Sequence, residues 1–187
     1  VVTNGDASVT DVDPIVGTHS GITTEDGWFS ISKREAFALG TAPWTWEARL
    51  VMLAFTSGDE DTLVDLRNST SQHGAMMLSA AGPSNKRLIY KHGGTEYGDD
   101  VGVTLALETE YLLEINFDGT TLRAFVNGQK QWQQNVAVSM NADRQLRIGR
   151  NAEGSRHADA KWGEVRITAG VCRHLEDYTP SESFPIE

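Results

Sequence analysis

Along this chain apolar side chains recur every second residue far more often than at helical spacing. In residues 44–52, Trp44, Trp46, Ala48, Leu50 and Met52 alternate with Thr45, Glu47 and Arg49. An extended segment with that pattern has one apolar and one polar face, the signature of a half-buried strand. The same alternation carries Tyr111, Leu113, Ile115 and Phe117 against Leu112, Glu114 and Asn116. Asp118-Gly119-Thr120 then reverses the chain, and Leu122, Ala124 and Val126 alternate with Arg123 and Phe125 up to Asn127-Gly128. Asn-Gly favours a type I′ hairpin because both central residues need positive φ. Two reversals around one strand predict a three-stranded antiparallel meander.

Further strands are predicted at 28–32, 62–66, 75–79, 87–91, 101–107, 145–148 and 162–168. Turn sequences such as Ser57-Gly58-Asp59, Gly82-Pro83-Ser84-Asn85 and His92-Gly93-Gly94 separate them. Short strands at this spacing predict an all-β sandwich or barrel rather than βαβ units. Only residues 33–39 read as a turn or two of helix. Residues 1–19 are polar and Gly/Asp/Thr-rich and read as an N-terminal arm, tether or loose first strand, leaving 20–187 as one domain.

Charge narrows the partners. The 26 acidic residues outnumber the 16 basic ones for a formal net charge of -10, a field that repels nucleic acid. It also opposes anionic polysaccharides unless a cation such as calcium bridges the two. No Lys/Arg run suits an anionic lipid surface, and no apolar stretch approaches the roughly 18 residues a membrane span needs. The single cysteine, Cys172, cannot form an internal disulfide, and no Cys/His cluster surrounds it to suggest zinc. The start, Val1-Val2-Thr3-Asn4-Gly5-Asp6, lacks the basic and apolar regions of a signal peptide. Synthesis in the cytoplasm, or processing from a longer chain, is therefore expected.

The run from Tyr111 to Gly128 resembles the central hairpin of concanavalin A-like lectin/glucanase domains of the laminin-G type. Leu146-Arg147-Ile148-Gly149 is similar to the strand that follows it in that family, and Gly27–Ile31 with Trp44–Arg49 to its opening strands. The closing segment narrows the resemblance: Glu164-Val165-Arg166-Ile167-Thr168-Ala169-Gly170-Val171-Cys172-Arg173, then Tyr178-Thr179-Pro180 and Ser183-Phe184-Pro185. It resembles the last strand and tail of such modules in virion proteins of tailed bacteriophages. The resemblance implies a two-sheet antiparallel jelly-roll sandwich exposed on a virion surface. Gly163 departs from the family, many of whose members carry an acidic residue there, which removes a carboxylate that a calcium site could use.

A glucanase of this fold needs carboxylates clustered on one strand, in the sense Glu-x-Asp-x-x-Glu, so that a nucleophile and an acid sit about 5–5.5 Å apart. Glu47, Glu114 and Glu164 each stand alone on their strands, and a non-enzyme is expected. Lectin sites pair an aromatic platform with hydrogen-bonding side chains. Tyr90, His92 and Tyr97, grouped beside glycines, and the polar-flanked Trp132 are the candidates, although packing at the sandwich rim is the more ordinary reading for Tyr90 and Trp132. Asp59 with Asp61, and Asp99 with Asp100, are candidate calcium ligands on acidic loops, or else solvated turn residues.

The sequence therefore leads to a non-enzymatic virion surface module, made in the host cytoplasm, that binds host-surface carbohydrate. The alternative is a capsid decoration or fibre-assembly protein with no sugar binding. Either reading calls for other virion proteins as partners and for a homo-oligomer on the particle.

Overall fold

The computed structural model describes residues 1–10, 19–32, 37–55, 60–67, 74–80, 86–98, 105–140 and 145–184. Among the described residues, fourteen strands form two antiparallel sheets, each of seven strands. The strands are β1 (Val2–Asn4), β2 (Ser8–Thr10), β3 (Ser20–Thr23), β4 (Trp28–Ile31), β5 (Trp44–Ala54), β6 (Glu60–Asp65) and β7 (Ala75–Ala80). They continue with β8 (Lys86–His92), β9 (Thr95–Tyr97), β10 (Glu110–Phe117), β11 (Thr121–Val126), β12 (Gln129–Asn135), β13 (Leu146–Ile148) and β14 (Asp159–Ala169). The first sheet runs β1-β4-β13-β6-β7-β8-β9 and the second β12-β11-β10-β5-β14-β3-β2. This is the expected all-β jelly-roll sandwich.

The alternation read from the sequence becomes the core between the sheets. Trp44, Trp46, Leu50, Leu113, Ile115, Phe117 and Leu122 come from the second sheet, and Leu63, Leu78, Leu88 and Tyr90 from the first. Trp44 lies 5.3 Å from Tyr90 and 5.8 Å from Phe117 between ring centroids, so large aromatic area is buried across the layer. In the β11–β12 hairpin Val126 pairs with Gln129, and both turn residues have positive φ, Asn127 at 49° and Gly128 at 77°, as a type I′ turn demands.

Several elements escaped the periodicity. The described residues of the arm supply β1, paired with β4, and β2, paired with β3, so the N-terminal stretch adds a short edge strand to each sheet. β12 is a polar edge strand (Gln-Lys-Gln-Trp-Gln-Gln-Asn) with only Trp132 facing the core. Residues 101–104 of the predicted 101–107 strand, and 33–36 of the predicted helix, lie outside the described residues. Residues 105–107 are not in a strand.

β14 carries the detail that matters most for the outer surface. Trp162 pairs with Leu50 and Glu164 with Arg49, so Gly163 is an extra residue, a β-bulge. Before the bulge Ala160 and Trp162 face the core; after it Val165 and Ile167 do. Without the extra residue the period-2 rule would turn Glu164 and Arg166 inward.

Candidate functional site

The two outer faces of the sandwich hold the polar chemistry. On the second sheet, register sets Glu114 of β10 opposite Glu47 of β5, and Glu47 opposite Arg166 of β14. Both carboxylates are almost wholly buried, because residues 170–184 cross this face as a strap with no strand or helix of their own. The Thr45 hydroxyl donates to the Val171 carbonyl, the Asn116 amide to that of His174, and the Arg49 guanidinium to that of Ser181. In return the strap's Tyr178 amide donates to the Gly128 carbonyl and its Phe184 amide to the Glu164 carboxylate. A Cβ on Gly128 would lie 2.0 Å from the Tyr178 carbonyl, so the strap's close approach, as well as the turn, requires glycine there.

Beneath the strap nearly every charge is met. Arg166 grips Glu47 through both carboxylate oxygens, at 2.7 and 2.8 Å, and Arg173 Nε lies 3.5 Å from the same group. Glu114 accepts from Tyr178 Oη at 2.7 Å and from Asn116 Nδ2 at 2.6 Å, and its Oε2 lies 2.8 Å from His174 Nδ1. Burial, and then the Glu114 charge, push the Tyr178 hydroxyl far above the usual tyrosine range, so it remains a proton donor. The His174 and Tyr178 rings stack at 3.5 Å, both set edge-on against Phe125. A small cavity of about 230 Å³ remains, lined by Glu47, Arg166, Arg173 and Tyr178 among others. Sequence reading treated Glu47 and Glu114 as lone acids because a cross-strand pair separated by this much chain leaves no local spacing. The signal that could have found them is Leu112 and Phe125, apolar residues in the polar phase of their strands that require a cover.

On the first sheet an open cleft of about 350 Å³ lies at the β1–β4–β13 end, lined by Asn4, Trp28, Gln145, Arg147 and the loop Arg150–Gly154. Leu146 and Ile148 point into the core, so Arg147 between them projects outward. The half-buried Trp28 indole has the Arg150 guanidinium 4.3 Å over its ring, a cation–π contact. Asn151 shapes the loop: its side-chain oxygen accepts from the Ser155 and Arg156 amides at 3.0 and 3.2 Å. Asn4 donates to Ser30 Oγ at 3.0 Å. An aromatic ring is thus rimmed by amide and guanidinium donors. The sequence reading named Trp28 only as a strand residue; three strands and a loop from distant parts of the chain converge on it.

The expected aromatic platform does not form at Tyr90 and Trp132. Tyr90 is fully buried, its hydroxyl 3.4 Å from Met140 Sδ, and burial, with Tyr97 nearby, drives its pKa far up. Trp132 is a core residue whose indole N–H donates to the Leu88 carbonyl at 2.7 Å. His92 and Tyr97 are half-buried, with ring centroids 6.2 and 6.4 Å from Tyr90. Of the calcium candidates, Asp59, Asp99 and Asp100 lie outside the described residues. Asp61 is fully buried with its Oδ2 2.8 Å from Lys86 Nζ, so a cation already meets its charge. Calcium takes six to eight oxygen ligands. Among the described residues no group of three or more His, Cys, Asp or Glu could hold a metal.

Comparisons with known proteins agree with this architecture. Domain 4 of the extracellular arabinanase AbnA from Geobacillus stearothermophilus, solved with arabinotriose, superimposes with a TM-score of 0.70 at 11% identity, covering 90% of this chain and 82% of that one. A chain of botulinum neurotoxin type C, whose cell entry is described as dependent upon interaction with two ganglioside molecules, gives a TM-score of 0.64 at 9% identity over 95% of this chain and 43% of that one. A heptameric SAP-like pentraxin from Limulus polyphemus gives 0.55 at 9% identity, over 67% of this chain and 63% of that one. Identities this low show a shared fold and nothing finer. No curated protein matches in sequence. The family model of the concanavalin A-like lectin/glucanases matches residues 22–174, the greater part of the chain, and the protein belongs to that superfamily.

Proposed function

We propose that this domain is a non-enzymatic, carbohydrate-binding module on the virion surface of a tailed bacteriophage, where it attaches the particle to host-surface glycans. The observation that carries the reading is the open cleft, in which Trp28 supplies an apolar ring and Asn4, Gln145, Arg147 and Asn151 supply a polar rim. Sugars offer apolar C–H faces bordered by hydroxyls, and such a lining meets both needs. Domain 4 of the arabinanase, which shares the fold, was solved with arabinotriose, and the toxin's interaction is with ganglioside. The virion setting is supported by the closing strand and the Tyr178-Thr179-Pro180 tail. Glu47 and Glu114 support a binding role over hydrolysis, since a nucleophile and an acid must reach substrate and both are bound beneath the strap.

One shallow site binding at around millimolar contributes about 4 kcal/mol. Several copies on one particle could raise effective affinity by about 10²–10⁴ without any new contact, which is the reason to expect a homo-oligomer. A glycan array run with calcium and with a chelator tests the reading. Selective binding lost in Trp28→Ala supports it.

A second reading, assembly rather than adhesion, draws on the exposed Val1, Val2 and Val9 at the edge strands, which a neighbouring virion protein could cover. Silence on the array, with deletion of residues 1–19 abolishing incorporation into particles, would favour that reading instead.

A further inference from the structure

Among the described residues, every arginine except two lies in an ion pair with a carboxylate. The two exceptions, Arg147 and Arg150, line the same cleft. In a chain of net charge -10, acid is abundant, so two guanidinium groups left without it require a cause. For Arg147 the cause is local. Its register partner on β6 is Asp65, but that carboxylate is taken by Arg67, with Nε 3.1 Å from each oxygen and Nη2 at 2.9 Å, and by the amides of Arg67 and Ala152. Arg147 is left with one backbone carbonyl, that of Arg67, at 2.9 Å. Arg150 likewise bonds the Gly154 carbonyl at 3.1 Å and is held in place by Trp28. Glu153, exposed at the rim of the cleft, pairs with neither.

We infer that the sugar bound in this cleft is acidic, its carboxylate received by Arg147 and Arg150 while its ring lies against Trp28. The inference rests on the carbohydrate-binding reading and adds the substrate class. A guanidinium carries five N–H donors and stays charged at any relevant pH. Carboxylate–guanidinium bonds are charge-assisted and can be bidentate. The overall negative field opposes the approach of such a ligand. However, exposed charges are screened beyond about 8 Å at physiological ionic strength, whereas a contact pair in the cleft is screened far less. Net charge therefore sets the rate of encounter, and the two arginines set the preference once contact is made.

The test is calorimetric titration of the full chain with paired oligosaccharides: trigalacturonate against neutral galactotriose, and sialyllactose against lactose. The expected result is a preference for the acidic member of at least one pair by about tenfold or more, shrinking at high salt. Arg147→Gln and Arg150→Gln should each reduce that preference, weakening the acidic member of a pair more than its neutral counterpart; Arg150→Lys, which keeps the charge, should recover part of it. Thermal melts of each variant report whether the fold is intact. Equal or tighter binding of both neutral members would overturn the inference and leave the carbohydrate-binding reading standing. Failure of all four sugars to bind would overturn both.

Discussion

The two outer faces of this sandwich place charged residues at comparable, outward-pointing strand positions and treat them in opposite ways. On the second sheet Glu114, Glu47 and Arg166 stand in one cross-strand row beneath the strap, and each finds a partner within the protein. On the first sheet Arg147 stands in a similar row beside Asp65, but Arg67 occupies that carboxylate and, among the described residues, no segment covers the cleft. Charges satisfied internally hold the fold together. Those left facing a cleft cost little to leave in water and are available to a ligand. The face that looks catalytic, with two opposed carboxylates, is by this argument structural, and the plainer face is the one suited to recognition.

The largest effect should come from breaking the sealed side. Arg166→Ala leaves Glu47 buried with only the more distant Arg173, and removing one member of a buried ion pair costs about 3–5 kcal/mol. Urea denaturation should show a loss of that size. Tyr178→Phe removes a donor from a buried carboxylate and should cost about 1–3 kcal/mol by the same measurement. This variant also has a pH signature. Burial raises the folded-state pKa of Tyr178 above the ordinary 10.0, so its contribution is complete below pH 10 and is lost as pH rises beyond it. Wild type should therefore lose stability more steeply above pH 10 than Tyr178→Phe, which keeps the parts contributed by the buried Tyr90 hydroxyl and the Cys172 thiol, both also raised by burial.

Asp118→Ala should rank next, at about 1 kcal/mol by thermal melt. Its Oδ1 accepts from the Thr120 and Thr121 amides and its Oδ2 from Arg123, closing the β10–β11 turn. Burial alone would raise this carboxyl, but the Arg123 and backbone hydrogen bonds outweigh it and hold the pKa well below the usual 3.8. Its contribution is therefore present above that value and lost only in stronger acid. The smallest stability change belongs to the open side. Arg147→Gln should shift stability by less than about 0.5 kcal/mol, as surface substitutions do, while weakening the binding of acidic sugars. A large stability loss there would erase the contrast between the two faces.

The sandwich was legible in the sequence because its strands are half-buried: in β5, β10 and β11 one face alternates so regularly that Trp44, Leu113 and Leu122 could only be core. Edge strands were not. β12 buries a single tryptophan, and in β1 and β2 no side chain enters the buried core, so there was no period to read. The sealed acid pair was illegible because Glu47 and Glu114 meet only through strand register, which no local window contains. Phe125 and Leu112 were the visible trace of the strap, two apolar residues out of phase. Gly163 looked like a missing ligand, and in the fold it is the bulge that turns Glu164 and Arg166 outward. Tyr90 and Trp132 allowed both a packing and a platform reading, because an aromatic beside polar residues reads the same whether it packs inward at a strand end or stands free; their burial decides for packing.

The division of labour between the faces can be tested in one experiment: backbone amide NMR during titration with the best-binding oligosaccharide of the array. Shifts are expected at Asn4, Trp28, Arg147 and Arg150–Gly154, with the amides of residues 171–184 unmoved. Shifts centred on the strap and on Glu47 and Glu114, with the cleft silent, would contradict it.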